Sequence, residues 1–577
     1  MKKKLLPALI VTGLIILVVI IMGITALINK YTPTKKTEDL KEYFNISSDD
    51  EAALIVDNEL SDYKAKIIDK KIYVDYKFVH DSLNSRFYWD ANENVLLYTT
   101  ESDIISAVAD SNSYSVTKQT NDFGYPIVKA TSDSALIALD YVKQYSNITF
   151  KSYDDPARIV ITSKWDEIDS ATVSKSTQVR VKGGIKSPIL KEVKKDDKIT
   201  ILDSGDKWDK VATEDGVIGY IKRKALSESK KTKLTNPDYE EETFTHIKKD
   251  KDICLAWNQV TSQSANSKVP QVISSTKGIN VMSPTWFYLN DNNGNLADIA
   301  SKDYVSYCHS QGIEVWGLFS NLENTDVDAA YVLTHTSTRT TLINQIMSAA
   351  FNYELDGVNI DFENITEAAY GDSYIEFIRE LSIKCHNNGI SLSVDVTVPA
   401  SFNKFFNRSD MAKFADYIVI MGYDEHYKGS DAGSVSSIPW VTEGVESTLK
   451  EVPADQIILG MPFYTRIWEL TPKEDDDAVT DTEDQSKYTV ASQVYSMDAA
   501  AAQLATNNAT AALDEESGQN YAEWSASNKL YKVWLEDSTS LEKRLKLVDD
   551  NKLAGAAFWK LGFENSSVWD TVIKYLD

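Results

Sequence analysis

The segment Tyr353-Glu354-Leu355-Asp356-Gly357-Val358-Asn359-Ile360-Asp361-Phe362-Glu363 sets polar groups at alternate positions of an apolar run. In an extended strand, residues two apart face the same side, so Asn359, Asp361 and Glu363 share one face. A parallel strand covered on both sides reads as continuous Val, Ile and Phe. Carboxylates in such a strand cost desolvation unless they are hydrogen-bonded or serve chemistry. Two acids converging from one strand are therefore a candidate acid–base pair with displaced pKa values.

The pattern resembles the catalytic strand of glycoside hydrolase family 18, the chitinase-like enzymes, whose motif is Asp-Gly-x-Asp-x-Asp-x-Glu. Asp356, Gly357, Asp361 and Glu363 match it, and Asn359 stands where most members carry Asp. Enzymes of this family use the substrate's own N-acetyl oxygen as nucleophile, so one true acid is enough. The resemblance implies that Glu363 is general acid and later base, and that Asp361 holds the acetamido N–H and steadies the positively charged intermediate. Tyr423 would donate a hydrogen bond to the acetyl oxygen. An amide at Asn359 does not titrate; it is expected to donate to Asp361, leaving the chemistry intact and changing the acidic limb of the pH profile. The Asn-x-Asp-x-Glu variant resembles spore-cortex and cell-wall N-acetylglucosaminidases of endospore-forming bacteria, which implies peptidoglycan in preference to chitin.

Strands of the buried type alternate with helical patterns throughout the C-terminal part, the signature of β/α units. Eight strands are predicted, at residues 253–257, 278–283, 313–319, the opening segment, 391–397, 417–423, 456–461 and 555–559. The expected fold is an eight-stranded β/α (TIM) barrel over residues 251–577, enlarged by an insertion between strands seven and eight at about 468–530. Active sites of such barrels lie at the C-terminal strand ends. Tyr423 and Asp424 end strand six in Met421-Gly422-Tyr423-Asp424, which matches the family's Met-x-Tyr-Asp, and Trp559 ends strand eight where the family places the tryptophan that floors the sugar subsite. The resemblance implies substrate binding by Asn359, Asp356, Asp424, Met421, Trp559, Tyr464 and Trp286. Within the insertion, Tyr521, Trp524, Tyr531 and Trp534 either wall a sugar groove or pack a core. The acidic run Lys473-Glu474-Asp475-Asp476-Asp477 is expected to be a solvated face.

Lysine and arginine total 60 against 86 aspartate and glutamate, a net charge of −26, which argues against nucleic acid or an anionic lipid surface as the main partner. Three cysteines, Cys254, Cys308 and Cys385, supply no disulfide framework. Cys308-His309 and Cys385-His386 lie far apart, nothing resembles a metal cluster or a phosphate loop, and no cofactor is expected. Lys2, Lys3 and Lys4 precede the uncharged apolar run 5–28, longer than a signal-peptide core and sufficient for a membrane span of about 20 residues. An uncleaved anchor with its lysines in the cytoplasm would place everything after residue 30 outside, on a Gram-positive bacterial surface.

Between anchor and barrel the composition changes three times. Residues 31–50 read as a polar stalk, and 51–168 as a small α+β repeat. Its first copy runs Ile72-Tyr73-Val74, a helix at 78–83 and strands at 87–90 and 95–98; in its second copy residues 135–139 are the expected helix. This module resembles the stalk-like domain related to the N-terminal part of copper amine oxidases. His80 is its single histidine, so no copper site is expected. Residues 169–228 read as a small all-β barrel resembling bacterial Src-homology-3-like modules, and 229–250 as a polar linker. Together these readings give a membrane-anchored glycosidase whose partner is peptidoglycan or another N-acetylglucosamine-containing glycan. Alternative readings are a chitinase or endo-β-N-acetylglucosaminidase, and a non-catalytic lectin-like barrel; such lectins usually lack the terminal acid that Glu363 supplies.

Overall fold

In the computed structural model the described residues are 5–363, 365, 370–473 and 484–576. Two compact units are present, one of residues 1–89, 107–114 and 121–241, the other of residues 90–106, 115–120 and 242–577. In the first unit, Leu5–Tyr31 forms helix α1, the one helix among the described residues long and apolar enough to cross a membrane. Lys2, Lys3 and Lys4 lie outside the described residues.

The same unit holds two seven-stranded sheets. In one, the parallel pair Glu51–Val56 and Arg158–Thr162 is flanked by antiparallel neighbours. Residues 135–138 are a strand here, paired with Lys71–Asp75, and the helix starts only at Leu139–Tyr145. Four residues with three side chains buried are satisfied by sheet pairing, and the apolar run is too short to form a helical stripe. The other sheet places Trp208–Thr213 between Ile218–Lys222 and Lys198–Asp203. Part of the expected linker is ordered in it, since Lys230–Lys233 pairs with Glu167–Thr172.

The second unit is organised by eight parallel strands, β1 Ile253–Asn258, β2 Val281–Leu289, β3 Glu314–Ser320, β4 Gly357–Asp361, β5 Ser391–Thr397, β6 Tyr417–Met421, β7 Ile457–Pro462 and β8 Gly555–Trp559. Pairing of β1 with both β2 and β8 closes the barrel. Alternation then sorts every strand into two environments. Ile253, Leu255, Trp257, Trp316, Leu318, Tyr417 and Val419 fill the interior, while a larger apolar shell packs between the strands and the surrounding helices. Helices Thr336–Tyr353 and Gly371–His386 flank β4, the first ending in a left-handed Glu354. A buried ion pair, Arg339 Nε to Glu380 at 2.7 Å, ties these two helices together.

Gly357, at the start of β4, makes room for Trp316 inside the barrel: a Cβ there would lie 2.5 Å from the indole ring. Gly357→Ala is expected to lower the midpoint of thermal unfolding, by an overpacking cost of about 1–3 kcal/mol. An unchanged midpoint would place that ring elsewhere.

Between β7 and β8 the chain builds a five-stranded antiparallel sheet from Tyr464–Pro472, Tyr488–Ser496, Ala512–Asp514, Gln519–Ala526 and Lys529–Leu535, with a helix at Met497–Thr506. Its aromatics sit opposite one another across two strands, Tyr521 with Trp534 at 4.8 Å and Trp524 with Tyr531 at 5.2 Å between ring centres. Such cross-strand pairs hold a sheet in register. Lys473 is described and exposed, whereas Glu474, Asp475, Asp476 and Asp477 lie outside the described residues.

Candidate active site

Barrel geometry turns the alternate residues of β4 and β5 inward. Asn359 is level with Ser393, and Ile360 with Val394, so the next step of the register brings Asp361 level with Asp395. Asn359, Asp361, Ser393 and Asp395 are all buried. Asn359 is saturated: its carbonyl oxygen accepts from Trp257 Nε1 at 3.0 Å and Ser283 Oγ at 2.9 Å, and its amide donates to Ser393 Oγ at 3.1 Å and Asp395 Oδ1 at 2.7 Å. The expected donation from Asn359 to Asp361 is therefore not what is formed. The amide turns sideways to the neighbouring strand, and Asp361 Oδ1 is left buried without a partner among the described residues.

Above this layer the strand ends open. Glu363 lies two residues beyond Asp361, is exposed, and has its backbone N–H held by Asn321 Oδ1 at 3.1 Å. Ser320 donates to Glu323 in the loop after β3. From β6, Tyr423 faces the acids of β4 and β5. Its ring neighbours are Trp257 at 6.4 Å and Tyr464 at 6.2 Å, and Trp257 also meets Trp559 edge-on at 5.9 Å. Tyr464 Oη donates to Asp424 Oδ1 at 2.5 Å, and Arg466 Nη2 lies 3.7 Å from the same oxygen.

Charge crowding sets the protonation states. Burial first, then Asp395, Glu363 and Glu323, push the Asp361 carboxyl well above the usual carboxylate range. Burial and then Glu363 raise Asp395, against the stabilising hydrogen bond from Asn359. The carboxyl of Glu363 is raised by loss of water against the strand ends and then by Asp424 and Glu323. Tyr423 is driven far up by burial and by Asp361, Asp395 and Glu363, so its hydroxyl stays protonated and can donate. One accessible acid with a raised pKa, a buried acid beneath it and a phenol donor beside them suit proton delivery to a leaving oxygen and stabilisation of an adjacent cation.

Residues 319–564 match the model of the glycosyl hydrolases family 18, from the last turn of β3 to beyond β8. The chain carries a glycosyl hydrolase family 18 domain. Among curated proteins it is 24% identical over 301 residues to the uncharacterized glycosylase YvbX of Bacillus subtilis, covering 49% of this chain and 81% of that protein. It is 25% identical over 287 residues to the cortical fragment-lytic enzyme of the same organism, covering 48% of this chain and 63% of that enzyme. The spore cortex-lytic enzyme SleL of Bacillus cereus superposes with a TM-score of 0.50 at 19% identity, covering 56% of this chain and 74% of that one, a likeness of fold.

The family 18 domain brings together Glu363, Asp361, Tyr423, Asp424, Met421, Tyr464 and Trp559 at the C-terminal strand ends, and moves three expected sugar contacts elsewhere. Asp356 precedes β4 at the opposite end of the barrel, where it accepts from Val315 N and pairs with His309, both at 2.8 Å. At about 3.3 Å per residue, five positions of strand separate it from Asp361 by about 16 Å. Trp286 is fully buried in the outer shell, donating to Asn266 Oδ1 at 2.8 Å and packed on Tyr304. Its position on β2 has the outward parity, opposite to Ser283. Asn359 has every hydrogen-bonding group engaged by protein and makes no contact available to a sugar. Asp395, Asn321 and Glu323 are the site residues that sequence reading did not single out.

Proposed function

We propose that this protein is a membrane-anchored glycosidase that cleaves β-1,4 bonds after N-acetylglucosamine in peptidoglycan, with retention of anomeric configuration. The observation that carries this reading is the asymmetry of the acids at the barrel mouth. Glu363 is exposed, Asp361 and Asp395 are buried beneath it, and Asp424 is engaged by Tyr464 and Arg466. A two-carboxylate retaining mechanism needs a second free carboxylate about 5–5.5 Å from the acid to attack the sugar. Asp361 and Asp395 are buried, Asp424 is held by Tyr464 and Arg466, and the exposed Glu323 accepts from Ser320, so the nucleophile is best supplied by the substrate's acetamido group.

Glu363 protonates the glycosidic oxygen as the acetamido oxygen attacks the anomeric carbon. Tyr423 donates to that oxygen and fixes it for attack, while Asp361 accepts the acetamido N–H and balances the positive oxazolinium-type ring. Glu363, now ionised, takes a proton from water, whose oxygen opens the ring from the face the leaving group vacated. Trp559, edge-on to Trp257, provides an apolar floor for the sugar.

Helix α1 suits an anchor, with Lys2, Lys3 and Lys4 on the cytoplasmic side and the remaining chain at the outer surface of a Gram-positive cell. The α+β module, similar to copper-amine-oxidase N-terminal stalks, serves as spacer, and the Src-homology-3-like unit as a wall contact. Peptidoglycan is preferred to chitin because the relatives include proteins named for the spore cortex. Incubating the full-length protein in detergent with purified sacculi and, separately, with chitin oligomers distinguishes the two. Mass analysis is expected to find muropeptide fragments with reducing-end N-acetylglucosamine; cleavage of chitin oligomers alone would favour the chitinase reading, and binding of both without turnover would favour a lectin.

A further inference from the structure

The acid that faces Asp361 comes from the next strand. β4 and β5 run parallel in a register that places Asp361 and Asp395 side by side, and neighbouring strands lie about 4.8 Å apart. Both side chains are more than nine-tenths buried. Ionisable groups that face the pair are Glu363 on the same strand, Glu323 after β3, Tyr423 after β6 and Tyr374 on the helix Gly371–His386. None of these is a cation. Two carboxylates so placed cannot both ionise without large cost, so the pair retains a proton.

Asn359 breaks the symmetry between them. Its amide donates to Asp395 Oδ1 at 2.7 Å, whereas Asp361 Oδ1 has no partner among the described residues. A donor favours the ionised form of the group it touches. Trp257 and Ser283 fix the amide so that its N–H points to β5, because an indole N–H can only donate and so requires the carbonyl oxygen to face it. At rest the negative charge belongs on Asp395 and the proton on Asp361.

We propose that Asp395 is the positioning partner of Asp361. The pair shares one proton, Asn359 sets where it rests, and the proton passes from Asp361 to Asp395 as positive charge develops on the substrate. The O–H bond of Asp361 breaks and one forms on Asp395; the pair carries one negative charge before and after, delivered to the oxygen that faces the acetamido group only when the cation is present. An active amide at position 359 is thereby explained: the second acid stands on β5 instead of β4. This role rests on the hydrolase reading above, but the shared proton does not.

Two measurements on the full-length protein in detergent test it. The first compares kcat, KM and the pH dependence of reducing-end release from soluble glycan strands for wild type, Asp395→Asn, Asn359→Asp and the exchange Asn359→Asp with Asp395→Asn. Asp395→Asn is expected to lower kcat about tenfold or more with KM changed less than about threefold, and to move the acidic limb to lower pH, because Asp361 loses the neighbouring charge that opposes its ionisation. The exchange is expected to recover most of the loss relative to either single variant. Asp395→Asn within about twofold of wild type with an unmoved limb, or an exchange no faster than Asn359→Asp, would overturn the proposal.

The second measurement needs no turnover. Thermal unfolding of Asp361→Asn, Asp395→Asn and the double variant is followed between pH 5 and 9. With one proton shared, each single substitution removes the same repulsion, so the gains at the alkaline end are expected to be strongly non-additive. Additive gains would overturn the proton sharing. Wild type indistinguishable from Glu363→Gln on glycan would instead overturn the hydrolase reading, leaving this result standing.

Discussion

Glu363→Gln is expected to lower kcat on glycan strands on the order of 10³-fold or more while leaving substrate binding nearly intact. Glutamine preserves the shape of the strand end and the backbone hydrogen bond to Asn321, so the loss isolates the proton. Without an acid, the departing sugar leaves as an alkoxide, and without a base, water attacks the intermediate unassisted. The raised pKa of Glu363 fixes the sign of its pH dependence. Glu363 must enter the cycle protonated, so activity persists above the ordinary glutamic acid value of about 4.3 and falls as pH rises through the raised one. Asp424 contributes to that rise, so its neutralisation should draw the alkaline limb toward lower pH. Steady-state kinetics and isothermal titration with an uncleaved oligosaccharide separate the two quantities. An equal loss in binding would mean that the substitution disturbs the groove, and full activity would remove Glu363 from the chemistry.

Asp361→Asn is expected to reduce kcat about 10²- to 10³-fold, the range for a preorganised group that stabilises charge in the transition state. The same substitution should make the protein more stable above neutral pH. The sign follows from burial: Asp361 has a folded pKa above its unfolded value, so its contribution is intact below about pH 3.9 and is lost as pH rises toward the folded value. A neutral amide escapes that penalty, and the difference in unfolding midpoint from wild type should widen with pH. Such opposite movement of activity and stability is characteristic of a strained functional group. Thermal melts at pH 5 and pH 8 beside kinetics at both values check it; a variant that loses activity and stability together would mark Asp361 as a structural residue.

The barrel was legible because each strand is a short apolar run between helical patterns, and all eight positions appear in the structure within a few residues. Asp361 and Glu363 were legible because period-two spacing fixes which residues of one strand share a face, and Tyr423 because Met421-Gly422-Tyr423-Asp424 resembles the Met-x-Tyr-Asp motif of the family. Relations between strands were not. Asp395 is a lone acid in Ser391-Leu392-Ser393-Val394-Asp395, and only the parallel register with β4 sets it beside Asp361. Asp356 has the right residue type at the wrong end of its strand: it precedes Gly357, so the rule that barrel sites lie at C-terminal strand ends already separates it from the mouth, and its place in the motif alone put it among the sugar contacts. Trp286 was misplaced because the parity of β2 is set by Ser283 turning inward to Asn359. For Asn359 the neighbours decided the outcome, as Trp257 and Ser283 occupy its oxygen and aim its amide at β5.

In the proposed reaction one acid, Glu363, works with the substrate's own acetamido group. Proton NMR of the anomeric signals during the first minutes of glycan cleavage tests this most directly. The β-anomer of the new reducing end is expected to appear first and the α-anomer to grow in only by mutarotation, with no product from Glu363→Gln. Initial release of the α-anomer, which requires direct attack by water on the opposite face, would contradict it.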